Sequence, residues 1–240
     1  MAPTPGQEDS MSTHRKFDEA LAALKTKVVA MGQVAQTMIQ ESMKSLVDRD
    51  AKLIQSVLSN EDRLDKYQVE IDDEAIRLMA IQAPVAMDLR FILMVARINT
   101  EVERIGDLCV NVCESVQLLL AEPPLKPLVD LPKMAETAKR MVEESLQAFH
   151  ESSTEKALQV IKKDDEVDAL NDQIFRELLT YMMTDPRNIS RALALILTAR
   201  NLERIADHAT NIAEEVVYLV KGEDIRHQHP QGEAVKLHGR

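Results

Sequence analysis

Carboxylate and amide side chains recur at matching places in two segments of the chain, one hundred residues apart. The segments 103–114 and 203–214 share six of their twelve residues. Four of these shared positions carry a side-chain oxygen: Glu103, Asp107, Asn111 and Glu114 in the first segment, and Glu203, Asp207, Asn211 and Glu214 in the second. Such oxygen donors suit hard cations, for example Mg²⁺, Ca²⁺, Mn²⁺ or iron. Self-similarity at a fixed offset also indicates a duplicated architecture.

On an α-helix, the four polar positions of each segment fall within about 80° of one another and form one stripe. Ile98, Ile105 and Val112 lie on the opposite side of the first helix, and Ile205 and Ile212 do so in the second. These aliphatic residues must face the core of a helical bundle. The sequence therefore predicts that both stripes face outward or into a groove, away from the bundle centre.

A polar stripe on an amphipathic helix is most often a solvated face. Two observations favour cation binding instead. Solvent faces diverge readily, yet both copies keep the same residue types, and carboxylates at i and i+4 repel each other unless a cation bridges them. The expected metal ligands are Glu103, Asp107, Glu203 and Asp207, with Asn111, Asn211, Glu114 and Glu214 as secondary ligands. The pattern does not identify the metal.

Residues beside the stripes have simpler interpretations. Arg104 and Arg204 are expected in surface ion pairs with neighbouring carboxylates. His208 has no histidine equivalent in the first copy and is expected to be an exposed or half-buried side chain. Gly106 and Ala206 indicate a close approach between helices.

An enzyme is the natural alternative for carboxylates on helices. Di-iron oxygenase bundles need Glu-x-x-His pairs on core helices, and the chain contains no Glu-x-x-His. A glycine-rich phosphate loop, a nucleophile elbow and a zinc signature are also missing from the sequence. We therefore predict a protein that is not an enzyme, with no catalytic residue and no cofactor other than metal.

The composition favours long helices and argues against nucleic-acid binding. The 240 residues are 45% hydrophobic but only 3% aromatic, with 6 Gly and 9 Pro. A net charge of −11 lacks the basic footprint of a nucleic-acid partner. Cys109 and Cys113 are expected as small buried packing residues, which fits a reducing cytosol. No apolar stretch approaches the roughly 20 residues that span a bilayer and no secretory signal is visible, so we expect a cytoplasmic protein without membrane insertion.

A proline-rich segment at 122–132 divides the chain into two halves, because proline cannot occupy a helix interior. We predict an all-α fold of six long helices forming two tandem, pseudo-symmetric three-helix bundles. The expected helices run from about 13–47, 51–82, 86–120, 133–151, 154–183 and 188–221. The expected regions are a flexible N-terminus at 1–12, a first repeat at 13–121, the linker at 122–132, a second repeat at 133–222 and a polar, partly disordered tail at 223–240.

Local signals support these boundaries. Pro84 and Pro186 precede the third helix of each half. Ser152 and Glu155 have capping-box spacing, and Gly222 follows the last helix as a C-terminal cap. The duplication extends to the second helix of each half, where Asp62 and Asp65 match Asp165 and Asp168.

These residues resemble the PhoU family of phosphate-transport accessory proteins, and the resemblance covers nearly the whole chain. The family hallmark is a Glu/Asp-x-x-x-Asp motif in each of two three-helix repeats, here Glu103/Asp107 and Glu203/Asp207. Further matching segments are Met31-Gly32, Met87-Asp88-Leu89-Arg90 and the C-terminal stretch 220–227. Ala206 departs from the glycine usual at that position, a mild change.

The resemblance implies a cytoplasmic negative regulator of phosphate uptake and of the phosphate-starvation response. It further implies an adaptor that links the ATPase of a phosphate ABC transporter to a sensor histidine kinase. Family members are often dimers and carry metal ions or clusters at the acidic motifs. A homodimer that holds divalent or ferric ions (Mg, Mn, Fe or Zn) is therefore expected.

Overall fold

The computed structural model describes residues 5–82 and 86–225, and their side chains at 16–80 and 86–225. The helices are α1 (Pro5–Val47), α2 (Ala51–Gln82), α3 (Ala86–Leu120), α4 (Asp130–Glu151), α5 (Thr154–Ile161), α6 (Asp164–Thr184) and α7 (Ile189–Lys221). A short 3₁₀ helix, Pro186–Asn188, precedes α7. Six of the helices are long, and the described residues form no strand. The predicted fold class is confirmed.

Each half is a three-helix bundle, and the two halves share one core. Helices α1, α2 and α3 pack on one another, as do α4, α6 and α7, with α5 packed between α4 and α7. The contact between α3 and α7 is the most extensive in the molecule, and α1 also packs on α4. A methyl group added at Gly32 on α1 would overlap the buried side chain of Leu146 on α4, which shows how closely these two helices approach. The α3–α7 pair therefore joins the two repeats at the centre.

The first turn between helices also closes the end of α3. Arg49 adopts a left-handed backbone conformation between α1 and α2. Its guanidinium group donates hydrogen bonds to the carbonyl oxygens of Leu119, Leu120 and Glu122, at 3.3, 2.8 and 2.8 Å. Leu119 and Leu120 are at the end of α3, where carbonyl groups have no partner within the helix itself, and Glu122 lies in the turn that follows.

The helix expected at 154–183 is interrupted, which the sequence did not predict. It ends at Ile161 and starts again at Asp164. Three acidic residues in a row, Asp164, Asp165 and Glu166, occupy the first turn of α6. Negative charge is favourable there because the start of a helix carries a partial positive charge, and α2 has only two acidic residues at the matching place.

Several boundaries differ from the expectation by a few residues. Helix α1 already begins at Pro5, and α4 begins at Asp130 with Pro132 in its first turn, where a missing amide donor costs little. Ser153, not Ser152, caps α5 by accepting a hydrogen bond from the Lys156 amide at 3.3 Å. Ser152 instead ends α4 in a left-handed conformation.

The predicted cap at Gly222 is confirmed. Its φ is 73°, and its amide donates to the Tyr218 carbonyl at 2.8 Å. Pro186 opens the 3₁₀ helix, which is capped by the side chain of Asp185. Pro84 and the tail from residue 226 onward lie outside the described residues.

Candidate functional site

The two polar stripes lie on the outward faces of α3 and α7. Asp107 and Asp207 are exposed, whereas Glu103 and Glu203 are partly covered. The aliphatic residues expected on the opposite faces are all fully buried: Ile98, Ile105, Val112, Ile205 and Ile212. The expectation that the stripes avoid the bundle centre is confirmed.

In the first half, α2 adds two carboxylates to the stripe of α3. Partial burial raises the pKa of Glu61, and the charges of Asp65 and Asp107 raise it further. The pKa of Glu103 is raised by partial burial and then by Asp107 and Asp65. Such mutual effects arise between carboxylates only a few ångströms apart. We call these four residues (Glu61, Asp65, Glu103 and Asp107) the first acidic cluster.

The second half contains an equivalent group on α6 and α7. Partial burial together with Asp168 and Asp207 raises the pKa of Asp164 to about 6. Loss of water raises the pKa of Glu203, and Asp207 and Asp168 add to the effect. We call Asp164, Asp168, Glu203 and Asp207 the second acidic cluster. Both clusters hold carboxylates whose ionised forms repel one another, which is a setting that a cation would relieve.

The sequence located half of each cluster. Asp65 and Asp168 were already visible as a repeated pair, but their proximity to the stripes was not predicted. Glu61 and Asp164 are also repeat equivalents, at the same offset of 103 residues. Combining all repeated acidic positions of both helices would have found all four residues that α2 and α6 add, although Glu61 and Asp164 differ in residue type and give a weaker signal.

Within residues 5–82 and 86–225, no three His, Cys, Asp or Glu side chains converge closely enough to enclose a metal ion. The donors in each cluster are nevertheless of the right chemical type for hard cations, four carboxylates on two adjacent helices. Asp65, Asp107, Asp168 and Asp207 are exposed. The assignment of metal ligands stays a prediction.

The secondary ligands do not behave alike. Asn111 and Glu114 are exposed on α3, and Glu214 is partly covered on α7. Asn211 makes a contact that its counterpart lacks in the described hydrogen bonds: its Nδ2 donates to Oε2 of Glu101 on α3, at 2.9 Å. The amide of Asn211 therefore links the two repeats.

His208 takes part in the same contact. Its Nδ1 lies 2.7 Å from Glu101 Oε2, and the imidazole is buried between α3 and α7. Burial opposes ionisation of Glu101, but the hydrogen bonds from His208 and Asn211 outweigh it and hold the pKa of this carboxyl below its usual value. The expectation of an exposed or half-buried His208 was wrong, because the acceptor comes from a distant helix that no local pattern reveals.

A second polar pair crosses the same interface. Arg97 Nη1 donates to both carboxylate oxygens of Glu215, at 3.2 Å each, and Glu215 is buried. Neither contact has a repeat equivalent. The positions matching Glu101 and His208 are Asn201 and Leu108, and those matching Arg97 and Glu215 are Leu197 and Ser115. The α3–α7 interface is therefore asymmetric in its polar contacts.

The expectations for Arg104, Gly106 and the two cysteines hold, whereas the ion pair expected for Arg204 stays a prediction. Arg104 pairs with Glu101 at 3.5 Å. Partial burial raises the pKa of Asp207, and the charges of His208 and Arg204 partly offset this rise. A Cβ atom at Gly106 would lie 3.1 Å from Leu64, which confirms the close approach of helices. Cys109 and Cys113 are both buried, as expected of packing residues. No helix in the described part of the chain combines the length and apolar character needed to cross a membrane.

Known proteins are similar to this chain across both repeats. The family model described as PhoU domain matches twice, at residues 28–116 and 131–216. The chain is 42% identical over 214 residues to the "Phosphate-specific transport system accessory protein PhoU homolog" of Aquifex aeolicus, covering 89% of this chain and 97% of that protein. It is 37% identical over 220 residues to the protein of the same name from Caulobacter vibrioides, covering 91% and 96%.

A solved structure agrees with the sequence matches. The crystal structure of PhoU from Pseudomonas aeruginosa superimposes with a TM-score of 0.83 at 36% identity, covering 86% of this chain and 100% of that chain. The matched regions include the helices that carry both acidic clusters. The chain belongs to the PhoU family.

Proposed function

We propose that this protein is a phosphate-transport accessory regulator that represses phosphate uptake and the phosphate-starvation response. It acts as an adaptor in the cytoplasm, without catalytic activity, between the ATPase of a phosphate ABC transporter and a sensor histidine kinase. Membership of the PhoU family and the names of its relatives support the phosphate-transport role.

The observation that carries the proposal is the pair of acidic clusters, placed at equivalent positions on the outer surface of both repeats. Packing does not require carboxylates there, and partial burial followed by mutual repulsion raises the pKa of members of both clusters. We infer that each cluster holds metal ions of the Mg, Mn, Fe or Zn type. Glu103, Asp107, Glu203 and Asp207 would hold them, assisted by Glu61, Asp65, Asp164 and Asp168. Bound cations would neutralise the clusters and give the partner-facing surface a fixed charge pattern.

The regulatory role is tested by alkaline phosphatase activity in phosphate-replete cells of the source organism, with and without this gene. The proposal expects high activity in the deletion strain, because repression is lost, and low activity after the gene is restored. Repressed activity in the deletion strain would contradict the negative-regulator function.

The metal assignment is tested by elemental analysis of purified protein. Replacement of all four ligands (Glu103→Ala, Asp107→Ala, Glu203→Ala, Asp207→Ala) should remove nearly all bound metal while circular dichroism keeps its helical signal. Replacement of one pair alone should remove about half of it, since the clusters are on separate helix pairs.

A matched control removes the same charge from exposed acidic positions outside the clusters: Asp18→Ala, Asp73→Ala, Glu143→Ala and Glu155→Ala. It should keep full metal content. Equal metal content in the two fourfold variants would overturn the site assignment. A ligand variant that loses metal but still represses alkaline phosphatase would show that the clusters do not serve regulation.

A further inference from the structure

A pocket of about 400 Å³ opens between the two repeats, and we call it the inter-repeat pocket. Leu21 on α1 and Phe91 on α3 line it from the first repeat, and Leu219 on α7 lines it from the second. Phe91 precedes Glu103, and Leu219 follows Asp207, by twelve residues, which is about 18 Å of helix. The pocket is therefore separate from the acidic stripes of α3 and α7. Pockets of this volume with mostly apolar walls are typical of small-molecule sites.

Lys25 on α1 brings a positive charge to the wall of this pocket. Its Nζ donates a hydrogen bond to Oγ of Ser152 at 3.2 Å and lies 5.5 Å from the centre of the buried Phe149 ring. Partial burial lowers the pKa of Lys25, and no charge in the described part of the chain offsets this effect. Lys27, two residues further along α1, is by contrast paired with Glu70 at 2.9 Å. The ammonium group of Lys25 therefore lacks an anionic partner among the described residues.

The turn that carries Ser152 has an equivalent in the first repeat, where a cation is satisfied by the chain itself. Arg49 and Ser152 are related by the repeat offset of 103 residues, and both have a left-handed backbone conformation. The guanidinium group of Arg49 is bound to three carbonyl oxygens, and Pro124 and Leu125 of the linker line the space beside it. Ser152 instead offers Lys25 one uncharged hydroxyl group. The two turns therefore differ in whether the cation beside them still needs a partner.

The charge of the inter-repeat pocket suits a ligand with a single negative charge. Lys25 supplies one cation, and Asp88 in the first turn of α3 lines the same pocket. A second negative charge on the ligand would be repelled by Asp88, and the described lining holds no second cation to offset this repulsion. Phosphate sites are commonly built from arginine forks or several backbone amides, whereas Lys25 and Ser152 offer one ammonium and one hydroxyl group. A carboxylate therefore fits the pocket better than a phosphate does.

The rest of the lining suits an apolar body on the same ligand. Met87 and Val220, whose side chains are 68% and 42% exposed, extend the apolar wall formed by Leu21, Phe91 and Leu219. A dry cavity of about 150 Å³ holds one benzene molecule, so a pocket of about 400 Å³ has room for a carboxylate on a chain of roughly eight carbons. Each methylene group that such a chain buries strengthens binding.

We propose that the inter-repeat pocket binds a small amphipathic carboxylate, with its charged group on Lys25 and Ser152 and its aliphatic chain against Phe91 and Leu219. Free medium-chain fatty acids belong to this chemical class. Because the ligand contacts both repeats, its binding stabilises the folded chain. The site goes beyond the regulatory role proposed above, since it gives the protein an input that does not depend on metal at the acidic clusters.

The charge preference is tested by isothermal titration calorimetry of the full chain with octanoate and with octylammonium. A chelator is present so that no metal ion binds the carboxylate. Wild type should bind octanoate at one site, and octylammonium at least ~10-fold more weakly. Lys25→Met should weaken octanoate binding by at least ~10-fold, because a charge-assisted hydrogen bond is lost. Lys27→Met, the same change at a lysine outside the pocket, should leave the affinity unchanged.

Three results of this titration would overturn the proposal. They are the absence of saturable octanoate binding by wild type, equal affinity for the two probes, and equal affinity of the two lysine variants for octanoate.

The location of the site is tested by filling the pocket. Ala22 lines it, whereas Ala23, the next exposed residue on α1, does not. At ten times its dissociation constant, octanoate should raise the Tm of wild type and of Ala23→Phe by about 3–6 °C. Ala22→Phe should keep its helical circular dichroism but show no such rise, because the new ring occupies the pocket. An equal rise in both alanine variants would place octanoate elsewhere and rule out this site.

Discussion

The first and second acidic clusters contain the same kinds of side chain at equivalent positions, but their surroundings differ. In the first, Glu61 lies within the unbroken helix α2. In the second, Asp164 begins a new helix, and its pKa is raised to about 6 by partial burial and by its neighbours Asp168 and Asp207. Duplication has kept the carboxylates while the packing around them has diverged. The clusters are chemically alike and electrostatically unequal.

The same contrast applies to the helices that carry the stripes. On α7, His208 and Asn211 bind Glu101 of α3. On α3, the residues equivalent to His208 and Asn211 are Leu108 and Asn111. On α7, the residue equivalent to Glu101 is Asn201. One repeat therefore supplies an acceptor and the other supplies two donors. This asymmetry gives the α3–α7 interface a single defined register. The asymmetry can be tested by making the same substitution at equivalent positions of the two repeats.

The largest effect is expected at Glu101. Glu101→Ala removes a charged acceptor of two hydrogen bonds, each of which contributes about 1.5–3 kcal/mol. We expect a loss of about 3 kcal/mol in the free energy of unfolding, measured by urea denaturation followed by circular dichroism. Asn201→Ala, the change at the equivalent position, should cost less than about 1 kcal/mol. Equal losses in the two variants would show that the polar contact does not distinguish the repeats.

A smaller effect is expected where α1 approaches α4. Gly32→Ala places a methyl group against the buried Leu146 side chain. Overpacking costs about 1–3 kcal/mol, and the better helix propensity of alanine returns about 1 kcal/mol. The expected net loss is up to about 2 kcal/mol by the same measurement.

The equivalent position in the second repeat is Ala135, which already carries that methyl group. Ala135→Gly should cost about 1 kcal/mol through helix propensity. If Gly32→Ala were to stabilise the protein, then α1 and α4 would have room that the structure does not show.

The smallest effect is expected at Asp164, and it has the opposite sign. The pKa of this carboxyl rises from 3.8 to about 6 on folding. The folded chain therefore holds more protons than the unfolded chain between about pH 4 and pH 6, so stability falls as the pH rises through this window. Above about pH 6 the Asp164 carboxyl is ionised in the folded chain, and its full destabilising effect is present. Asp164→Asn should remove it.

The ionised carboxyl of Asp164 also gains from the partial positive charge at the start of α6. After allowance for this gain and for solvent screening of the half-buried group, we expect Asp164→Asn to stabilise the metal-free protein by about 1 kcal/mol at pH 7. At pH 4 the variant and the wild type should be equally stable. Glu61→Gln, its counterpart in the first cluster, should stabilise in the same direction. Urea denaturation at both pH values after treatment with a chelator is the measurement, and a gain at pH 4 as large as that at pH 7 would contradict the electrostatic explanation.

Local signals in the sequence were sufficient for the fold. The spacing of aliphatic residues on α3 and α7 predicted which faces of these helices are buried. The proline-rich segment predicted where the two halves divide. Both predictions depend only on residues that are close together in the sequence. The break before Asp164 was not predicted, since helix propensity near Lys162 and Lys163 gives no stop signal. The break between α5 and α6 is favoured instead by the acidic residues in the first turn of α6 and by the ion pair of Lys163 with Glu144.

The sequence by itself determined the all-helical architecture, the duplication and the outward stripes, because these follow from periodicity and from repetition along one chain. Only the tertiary structure decided which carboxylates of α2 and α6 stand beside each stripe. It also decided that Glu101 receives His208 and Asn211, and that side chains of both repeats line one pocket beside Lys25. All three features depend on how helices that are distant in sequence are aligned with one another. Long-range packing of the core determines that alignment.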